Sequence, residues 1–187
     1  MKIDQILDKI YPLPQTSKQT LKQSLTEVKF SKGHILLQAD KIETSIYFIK
    51  RGIARVYANA LENEITFLFC KEGDTIVSMK SYVLKQKSYE KVELLENSHL
   101  YELKAKKLQK LLNEDIHIAN WARKFAELEL IKTEERFISR QFRNAKERYI
   151  EILKNNPDLI QRVQLKYIAS YLGITQVSLS RIRASIK

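Results

Sequence analysis

The sequence predicts an α+β fold with an N-terminal antiparallel β-roll of jelly-roll type, a long helix and a C-terminal helical domain. Short runs rich in β-branched and aromatic residues recur between Val28 and Leu103, separated by turn signals, as in antiparallel sandwiches and barrels. From Ala105 onward, apolar residues recur with the helical period of about 3.6 residues instead. A chain of 187 residues, 44% apolar, can form one medium and one small domain. We therefore expect divisions at residues 1–114, 115–141 and 142–187.

The first division is expected to begin with helices and to continue as strands. Residues 3 to about 25 are typical of one or two short helices, separated by two prolines. The runs that favour strands are VKF, HILL, SIYFIK, IARVYAN, EITFLFC, DTIVS, EKVELLE and HLYELK. Glycines lie at junctions between these runs, at Gly33, Gly52 and Gly73. Asn59 to Asn63 has the composition of a hairpin loop.

One long helix is predicted next, because Asp115 to about Gln141 contains neither Gly nor Pro. Asp115 is suited to cap its start. Apolar residues at a 3-4-3 spacing form a coiled-coil seam, which we expect at the interface of a homodimer: Ile118, Trp121, Phe125 and Leu128. The apolar residues Ile131, Phe137 and Ile138 continue on a different face. The alternative is that the whole stripe packs inside its own chain.

The segment from Leu165 to Lys187 predicts two short helices that cross closely. Ile168 and Leu172 lie four residues apart and therefore share one face of the first helix. Gly173 can adopt the positive φ that ends this helix, and Ala169 is small enough for a close crossing. Thr175 offers an N-cap hydroxyl to the second helix. The buried stripe of that helix is expected at Leu179, Ile182 and Ile186.

The outer face of the second helix is polar and basic. Its residues suit base edges and phosphates: Gln176, Val177, Ser180, Arg181 and Arg183. Five Lys/Arg and no Asp or Glu occur from Arg162 to Lys187. Residues 140–187 carry a net charge of +7, whereas the whole chain carries +11. Because positive charge concentrates here, we interpret the segment as a helix-turn-helix that binds double-stranded DNA.

Composition argues against several other classes of protein. The only cysteine, Cys70, excludes an internal disulfide, a zinc ribbon and a cysteine-rich iron–sulfur centre; we expect it to be inert core rather than a thiol sensor. His34, His99 and His117 show no ligand spacing, so no haem or metal is expected. The sequence has no Gly-rich phosphate loop and no nucleophile motif, and we expect neither an enzyme nor a cofactor. Without a signal-type run or a membrane-spanning stretch, we expect a cytoplasmic protein with no membrane partner.

The motifs together resemble the Crp/Fnr family of bacterial transcription regulators over essentially the whole chain. In the β-domain the resemblance rests on FSKGHILL, YFIKRGIARVY and KEGD, although Ala39 stands where the family often has a second glycine. The segment RVQLKYIASYLGITQVSLSRIR is the more specific match and is most similar to regulators of Bacteroidetes-type bacteria. The resemblance implies a cyclic-nucleotide-binding-like sensor domain, a dimerisation helix and a winged helix-turn-helix.

The resemblance leaves the sensed molecule open. The family's cyclic-nucleotide cassette begins Gly-Glu and ends with an arginine that neutralises the phosphate. The equivalent stretch here, DTIVSMKSYVLKQKSYEKVEL, has no Gly-Glu pair and no arginine, so cyclic AMP is not expected. An unknown small-molecule effector would meet Ser78, Lys80, Ser81, Ser88, Trp121 and Phe125. The alternatives are a solvated lysine loop and aromatic residues that only fill the core.

We expect a homodimer that places two recognition helices in successive major grooves, roughly 34 Å apart, over an inverted-repeat operator. Gln176 is expected to read an adenine edge, Val177 a thymine methyl and Arg181 a guanine. Because the family commonly has a glutamate where Val177 stands, its usual operator should not apply. Phosphate contacts are expected from Gln164, Lys166, Thr175 and Arg183.

Two further points stay open at this stage. A transcription activator also contacts RNA polymerase, and no residues of the sequence identify that surface. The alternative function is a small-molecule-binding or protein-docking module in which the helix-turn-helix has only a structural role.

Overall fold

The computed structural model describes residues 1–60 and 63–186. The helices and strands of the first hundred residues are α1 (Ile3–Ile10), α2 (Gln15–Gln23), β1 (Leu25–Phe30), β2 (Ile35–Leu37), β3 (Ser45–Arg51), β4 (Ala54–Ala60), β5 (Asn63–Cys70), β6 (Thr75–Ile76), α3 (Met79–Leu84), β7 (Lys91–Leu94) and β8 (Ser98–Lys104). Helices follow: α4 (Ala105–Glu114), α5 (Ile116–Phe142), α6 (Ala145–Asn155), α7 (Pro157–Arg162), α8 (Leu165–Leu172) and α9 (Gln176–Ala184). The predicted α+β class, a β-roll followed by helices, is confirmed.

The strands form two four-stranded sheets, ordered β1-β8-β3-β6 and β2-β7-β4-β5. In the first sheet β8 pairs antiparallel with both β1 and β3, which sets Tyr47 opposite Glu102. Gly52 joins β3 to β4 with a φ of 127°, and a Cβ there would lie 2.2 Å from the Ser98 hydroxyl. A glycine is therefore required at this junction. Residues 61 and 62 of the predicted hairpin loop lie outside the described residues, between β4 and β5.

The chain divides into two compact units, and the three expected divisions stay a prediction. The roll unit consists of Met1–Val56 and Phe69–Ile131, and the helical unit of Tyr57–Leu68 and Lys132–Lys187. The outer part of the β4–β5 hairpin thus groups with the C-terminal helices rather than with the roll. Helix α5 contributes residues to both units. Sequence position alone could not reveal this, since the grouping depends on contacts between distant segments.

The core of the roll unit lies between the first sheet and the helices. Apolar residues from α1, α2, β3, β8, α4 and α5 form one buried cluster, which includes Ile6, Leu7, Leu21, Ile46, Phe48, Tyr101, Leu103, Leu108, Leu111, Ile118 and Trp121. The indole Nε1 of Trp121 donates a hydrogen bond to the Leu7 carbonyl at 3.0 Å, and its ring lies 6.2 Å from that of Phe48. Burying side chains of this size stabilises the fold by about 1.5–3 kcal/mol each.

This core corrects part of the expected dimer seam. Ile118 is 0% and Trp121 2% exposed, so a partner chain cannot reach either side chain. These two residues lie on the face of α5 that packs against α1 and β3. Phe125 and Leu128, one and two turns further along α5, are only half-buried.

Helix α5 is capped by Asp115, as predicted from the sequence. One carboxylate oxygen accepts the backbone N–H groups of His117 at 2.8 Å and Ile118 at 3.3 Å. Burial alone would raise the pKa of Asp115, but hydrogen bonds from Ser17 and these two amides outweigh it and hold the pKa below its ordinary value.

The expected wing is not formed among the described residues. Every described element from Ala105 to Ala184 is a helix. Only Val163 and Gln164 separate α7 from α8, and only residues 173–175 separate α8 from α9. These connections are too short to hold a pair of strands.

Candidate nucleic-acid interface

The connection between α8 and α9 has the geometry that the sequence predicted. Gly173 adopts a left-handed conformation with φ 69°, and its N–H reaches the carbonyls of Ala169 and Ser170. The next amide, of Ile174, also donates to the Ala169 carbonyl at 3.0 Å. These bonds satisfy the carbonyls at the end of α8 and turn the chain sharply into α9. The predicted role of Gly173 is confirmed.

Thr175 begins the second helix of the motif. Its hydroxyl accepts the Ser178 backbone N–H at 3.1 Å, the N-cap arrangement that the sequence predicted. No acidic residue occupies the first turn of α9. The positive end of the helix dipole therefore faces no side-chain carboxylate of its own first turn and favours an external anion.

The inner faces of these helices form the core of the helical unit. Ile168, Ala169 and Leu172 of α8 and Leu179 of α9 are each at most 2% exposed. Helix α6 is tied to the motif by Arg148, whose guanidinium donates to the Leu172 carbonyl at 2.7 Å. This interior fixes how α9 is oriented on α8.

One residue of the expected buried stripe of α9 is not buried. Ile186 lies beyond the end of the helix and is 36% exposed, whereas Ile182 is half-buried. The prediction extended α9 by about half a turn too far, since helix ends are the least certain part of a periodic pattern.

All the residues predicted to contact DNA lie on the surface. They are Gln164, Lys166, Thr175, Gln176, Val177, Ser180, Arg181 and Arg183. Val177 is 62% exposed although it is apolar, as a side chain that contacts a base methyl would be. The Ser180 hydroxyl donates to the Gln176 carbonyl at 3.1 Å, which leaves its oxygen available as an acceptor. Because α9 turns by about 100° per residue, Val177, Ser180 and Arg181 share one outer face.

The acidic groups of residues 140–186 are engaged on other helices. Glu147 accepts the Asn144 backbone N–H at 2.8 Å in the cap of α6. Glu151 forms an ion pair with Arg143 at 2.7 Å. Asp158 lies 3.5 Å from an Arg162 nitrogen. Within the part of the chain that the structure describes, no carboxylate neutralises the arginines of α9, so the positive potential of this face is uncompensated.

The three predicted effector serines form hydrogen bonds with other groups of the protein. Ser78 caps α3 by accepting from the Ser81 amide, and the Ser81 hydroxyl donates to the Gln86 carbonyl at 2.9 Å. The Ser88 hydroxyl donates to the Gln38 carbonyl at 2.8 Å. All three serines are at most 2% exposed, so they hold the α3 loop in shape.

The other predicted effector residues lie in different environments. Lys80 is exposed, Trp121 fills the core, and Phe125 stacks on Trp121 with ring centroids 6.3 Å apart. A groove of about 850 Å³ has Ser81 in its wall, but none of the other five residues. Its lining residues are Ile42, Glu43, Thr44, Ser81, Lys85, Lys104, Ala105, Lys106, Lys107, Gln109 and Lys110. Ser81 is thus the one predicted effector residue in the wall of this groove, and the effector site stays a prediction.

A polar cluster adjoins this groove on β3 and β8. Glu102 accepts hydrogen bonds from Ser45 at 2.7 Å, Tyr47 at 3.1 Å and Lys104 at 2.6 Å. Burial, followed by the Glu102 charge, raises the pKa of Tyr47 to about 12. Tyr47 therefore stays a neutral hydrogen-bond donor, and sequence reasoning had no signal for this cluster because its members are distant in the chain.

Sites of other kinds are not found in the described residues. Cys70 is 3% exposed, and no group of three His, Cys, Asp or Glu side chains within residues 1–60 and 63–186 could hold a metal. His34 stacks on Phe30 with ring centroids 4.3 Å apart. Among these residues, no helix has both the length and the apolar character of a membrane span.

Comparisons with known proteins agree with this architecture. Residues 27–115 match the cyclic nucleotide-binding domain. No curated protein sequence matches the chain. A solved structure from Eubacterium rectale, described as a transcriptional regulator of the Crp/Fnr family, is 16% identical with a TM-score of 0.74, covering 95% of this chain and 87% of that one.

Two further solved structures have the same fold at low identity. FixK2 from Bradyrhizobium japonicum is 19% identical with a TM-score of 0.72, over 87% of this chain and 84% of its own. The catabolite activator protein of Thermus thermophilus is 14% identical with a TM-score of 0.61, over 97% and 86%. The expected Bacteroidetes origin stays a prediction. Residues 27–115 therefore match the cyclic nucleotide-binding domain, and the chain has the fold of solved Crp/Fnr-type regulators.

Proposed function

We propose that this protein is a homodimeric DNA-binding transcription regulator of the Crp/Fnr type. The observation that carries the proposal is the outer face of α9, where exposed Gln176, Val177 and Arg181 stand next to uncompensated positive charge. A helix-turn-helix that served only for packing would have no need of such a face. The fold shared with Crp/Fnr-type regulators supports the same conclusion.

Each group on this face has a distinct task in the proposed complex. Arg181 donates two hydrogen bonds to a guanine edge, Gln176 reads an adenine and Val177 contacts a thymine methyl. Gln164, Lys166, Thr175 and Arg183 contact phosphates, which positions α9 without specifying sequence. Thr175 stands at the positive end of the helix dipole, where a phosphate binds favourably.

The homodimer is proposed to form along the outer face of α5 rather than along the stripe that the core buries. Positions 128, 131, 135, 138 and 142 alternate in steps of four and three residues, the spacing of a coiled-coil seam. Ile131 is 49%, Ile138 47% and Phe142 83% exposed. So much apolar surface on one helix face is costly in water and is covered when a second copy packs against it.

Charges beside this seam favour a parallel arrangement of the two helices. Glu127 and Lys132 flank it and are five residues apart. In a parallel coiled coil, residues with this spacing face each other across the interface, so each Glu127 meets the partner's Lys132. Glu135 lies within the seam, where a polar residue fixes the register at some cost in stability. A parallel pair has the two-fold symmetry that an inverted-repeat operator requires.

The effector remains an unknown small molecule, and cyclic AMP is not proposed. The Ser81 and Ser88 hydroxyls already donate to the Gln86 and Gln38 carbonyls, and the segment has no arginine that could neutralise a cyclic phosphate. RNA polymerase is proposed as a partner because a transcription activator contacts it, and no residue of this chain is assigned to that contact.

Binding measurements with matched variants test the proposal. In fluorescence anisotropy on a selected duplex, Arg181→Ala should weaken binding by about ten- to a hundredfold, as loss of one bidentate base contact implies. It should weaken binding to random duplex much less. Lys166→Ala should weaken both duplexes alike and lower the salt dependence by about one counterion.

Lys29→Ala provides the control. Lys29 is exposed on β1, and its replacement by alanine removes one positive charge from the roll unit. It should leave binding to both duplexes nearly unchanged. If Arg181→Ala weakened selected and random duplex equally, the base-reading role would be wrong. If the wild type bound no duplex at low salt, the docking-module alternative would replace the regulator.

A further inference from the structure

The groove beside α4 carries a large excess of positive charge. Its walls come from the loop before β3 (residues 42–44), from α3 and its C-cap, and from residues 104–110 at the start of α4. Among the described residues that line it, five are lysines and one, Glu43, is acidic. The lysines are Lys85, Lys104, Lys106, Lys107 and Lys110. Its volume of about 850 Å³ lies within the range of small-molecule sites, roughly 300–1,000 Å³.

Two of these lysines have no acidic partner in the protein. Lys106 and Lys107 lie in the first turn of α4, and both are exposed. Within residues 1–60 and 63–186, neither forms an ion pair with a carboxylate. No side chain caps α4 and no acidic residue occupies its first turn, so the positive end of the helix dipole adds to the charge of the two lysines. This part of the groove therefore holds positive charge that the described chain does not neutralise.

Two carboxylates, one in the groove wall and one beside the groove, are already engaged. A Glu43 oxygen accepts the Gln38 backbone N–H at 2.8 Å. Glu102 accepts from Lys104 at 2.6 Å, and the same ammonium group donates to the Ser45 hydroxyl at 3.0 Å. A lysine ammonium has three N–H donors, so Lys104 keeps one for a ligand. Its side chain is held in place by the other two.

The groove also offers apolar surface to a ligand. Ile42 is 51% exposed in its wall. The methylene stems of the lysines add hydrocarbon beneath their charged ends. Small-molecule sites commonly combine apolar lining with a few charged groups that fix the orientation of the ligand. These features favour an anion that carries an apolar ring or chain over a bare inorganic ion.

We propose that this groove binds a small molecule with a chain of two or more phosphates, of the nucleoside triphosphate class. Lysines bind phosphate as compact point charges, so Lys104, Lys106 and Lys107 contact the phosphate chain and Ile42 contacts the base. All lining residues belong to the roll unit, and the inference does not rest on the proposed DNA binding. Most of the lining lies outside residues 74–94, the segment equivalent to the cyclic-nucleotide cassette.

Isothermal titration calorimetry of the full-length protein with ATP, at low salt and without divalent cations, tests the site. ATP should bind at least about tenfold more tightly than inorganic phosphate or cyclic AMP, because it presents more negative charge to the lysines. Lys106→Gln/Lys107→Gln should weaken ATP binding by at least about tenfold, since two charge-assisted contacts are lost. Glutamine favours helix about as well as lysine does, so α4 should stay folded.

Lys29→Gln/Lys32→Gln is the matched control, because both lysines are exposed in the roll unit and neither lines the groove. Arg181→Ala is a second control, which tests whether ATP binds at α9 instead. Each control should change the affinity for ATP by less than about threefold, as expected for distant surface charges. A loss in either control as large as in the α4 variant, or equal affinity for ATP and inorganic phosphate, would overturn the proposal.

Lysine acetylation read by mass spectrometry tests the same site in the wild type, without any variant. Saturating ATP should slow modification of Lys106 and Lys107 by at least about threefold and leave Lys29 unchanged. Absence of protection, or equal protection of all three lysines, would contradict the site.

Two further ligands identify what the groove recognises. Tripolyphosphate that binds as tightly as ATP would support a site for the phosphate chain alone, and weaker binding would support a contact with the base as well. A peptide of six glutamates that binds at least as tightly as ATP would assign the groove to an acidic protein segment and overturn the small-molecule proposal.

Discussion

Removing apolar side chains from the outer face of α5 should dissociate the proposed dimer. Ile131 and Ile138 are each about half exposed, at 49% and 47%. Full burial of an isoleucine stabilises by about 1.5–3 kcal/mol, so covering the exposed half contributes about 1 kcal/mol. The two-fold symmetry of the proposed dimer would place four such side chains in the interface. The double variant Ile131→Ala/Ile138→Ala should therefore lose roughly 3–4 kcal/mol of dimer stability, which weakens dimerisation by about 100- to 1000-fold.

Sedimentation equilibrium over a wide concentration range measures this change directly. Alanine favours helix, so α5 itself should not be weakened by the substitutions. Leu130→Ala is the control, because Leu130 is 70% exposed on the same helix but about 100° away from Ile131. It should shift the dimer constant by less than about threefold. Equal effects of the two variants, or a double variant as dimeric as the wild type, would refute the proposed seam.

Three further predictions concern charge, backbone and pH. Glu127→Lys should weaken the dimer by placing like charges across the seam, and Glu127→Lys/Lys132→Glu should restore it in sedimentation runs at low salt. Gly173→Ala should cost about 1 kcal/mol in denaturant unfolding, since φ is 69° and nothing crowds the added Cβ, whereas Gly52→Ala should cost more because its Cβ would overlap a neighbour. Asp115→Ala should destabilise the protein by about 1 kcal/mol at neutral pH. Because the folded-state pKa of Asp115 is lowered, its stabilisation is present above the ordinary value of 3.8 and is lost as pH falls below it; the gap between variant and wild type in urea titrations should close there.

Local features of the fold were predictable because short-range chemistry determines them. Gly173 and Thr175 were identified from the sequence, since a positive φ and an N-cap hydroxyl depend on a few neighbouring residues. The exposed face of α9 followed from helical periodicity and from the absence of acids after Arg162. Asp115 was likewise identified from the sequence as the residue that caps α5.

Contacts between distant segments were not predictable from periodicity. A stripe at Ile118 and Trp121 shows that a helix face is buried, but not which surface covers it. The cover includes α1, whose Leu7 carbonyl accepts the indole N–H from 114 residues away. The contact of Ser170 with β5 was also not predictable, because a serine on a helix does not indicate which strand it will bond to. The Ser88 hydroxyl is a similar case, because the Gln38 carbonyl to which it donates lies 50 residues earlier in the chain.

The spacing of half-sites in selected DNA tests the central claim most directly, because it depends on both the reading face and the dimer. In vitro selection from random duplexes should recover two inverted half-sites with centres about 10–11 base pairs apart, one helical turn. Selection with Arg181→Ala should keep this spacing and lose one base preference in each half-site. Recovery of single or directly repeated sites, or of no enriched sequence at all, would contradict a symmetric dimer that reads DNA through α9.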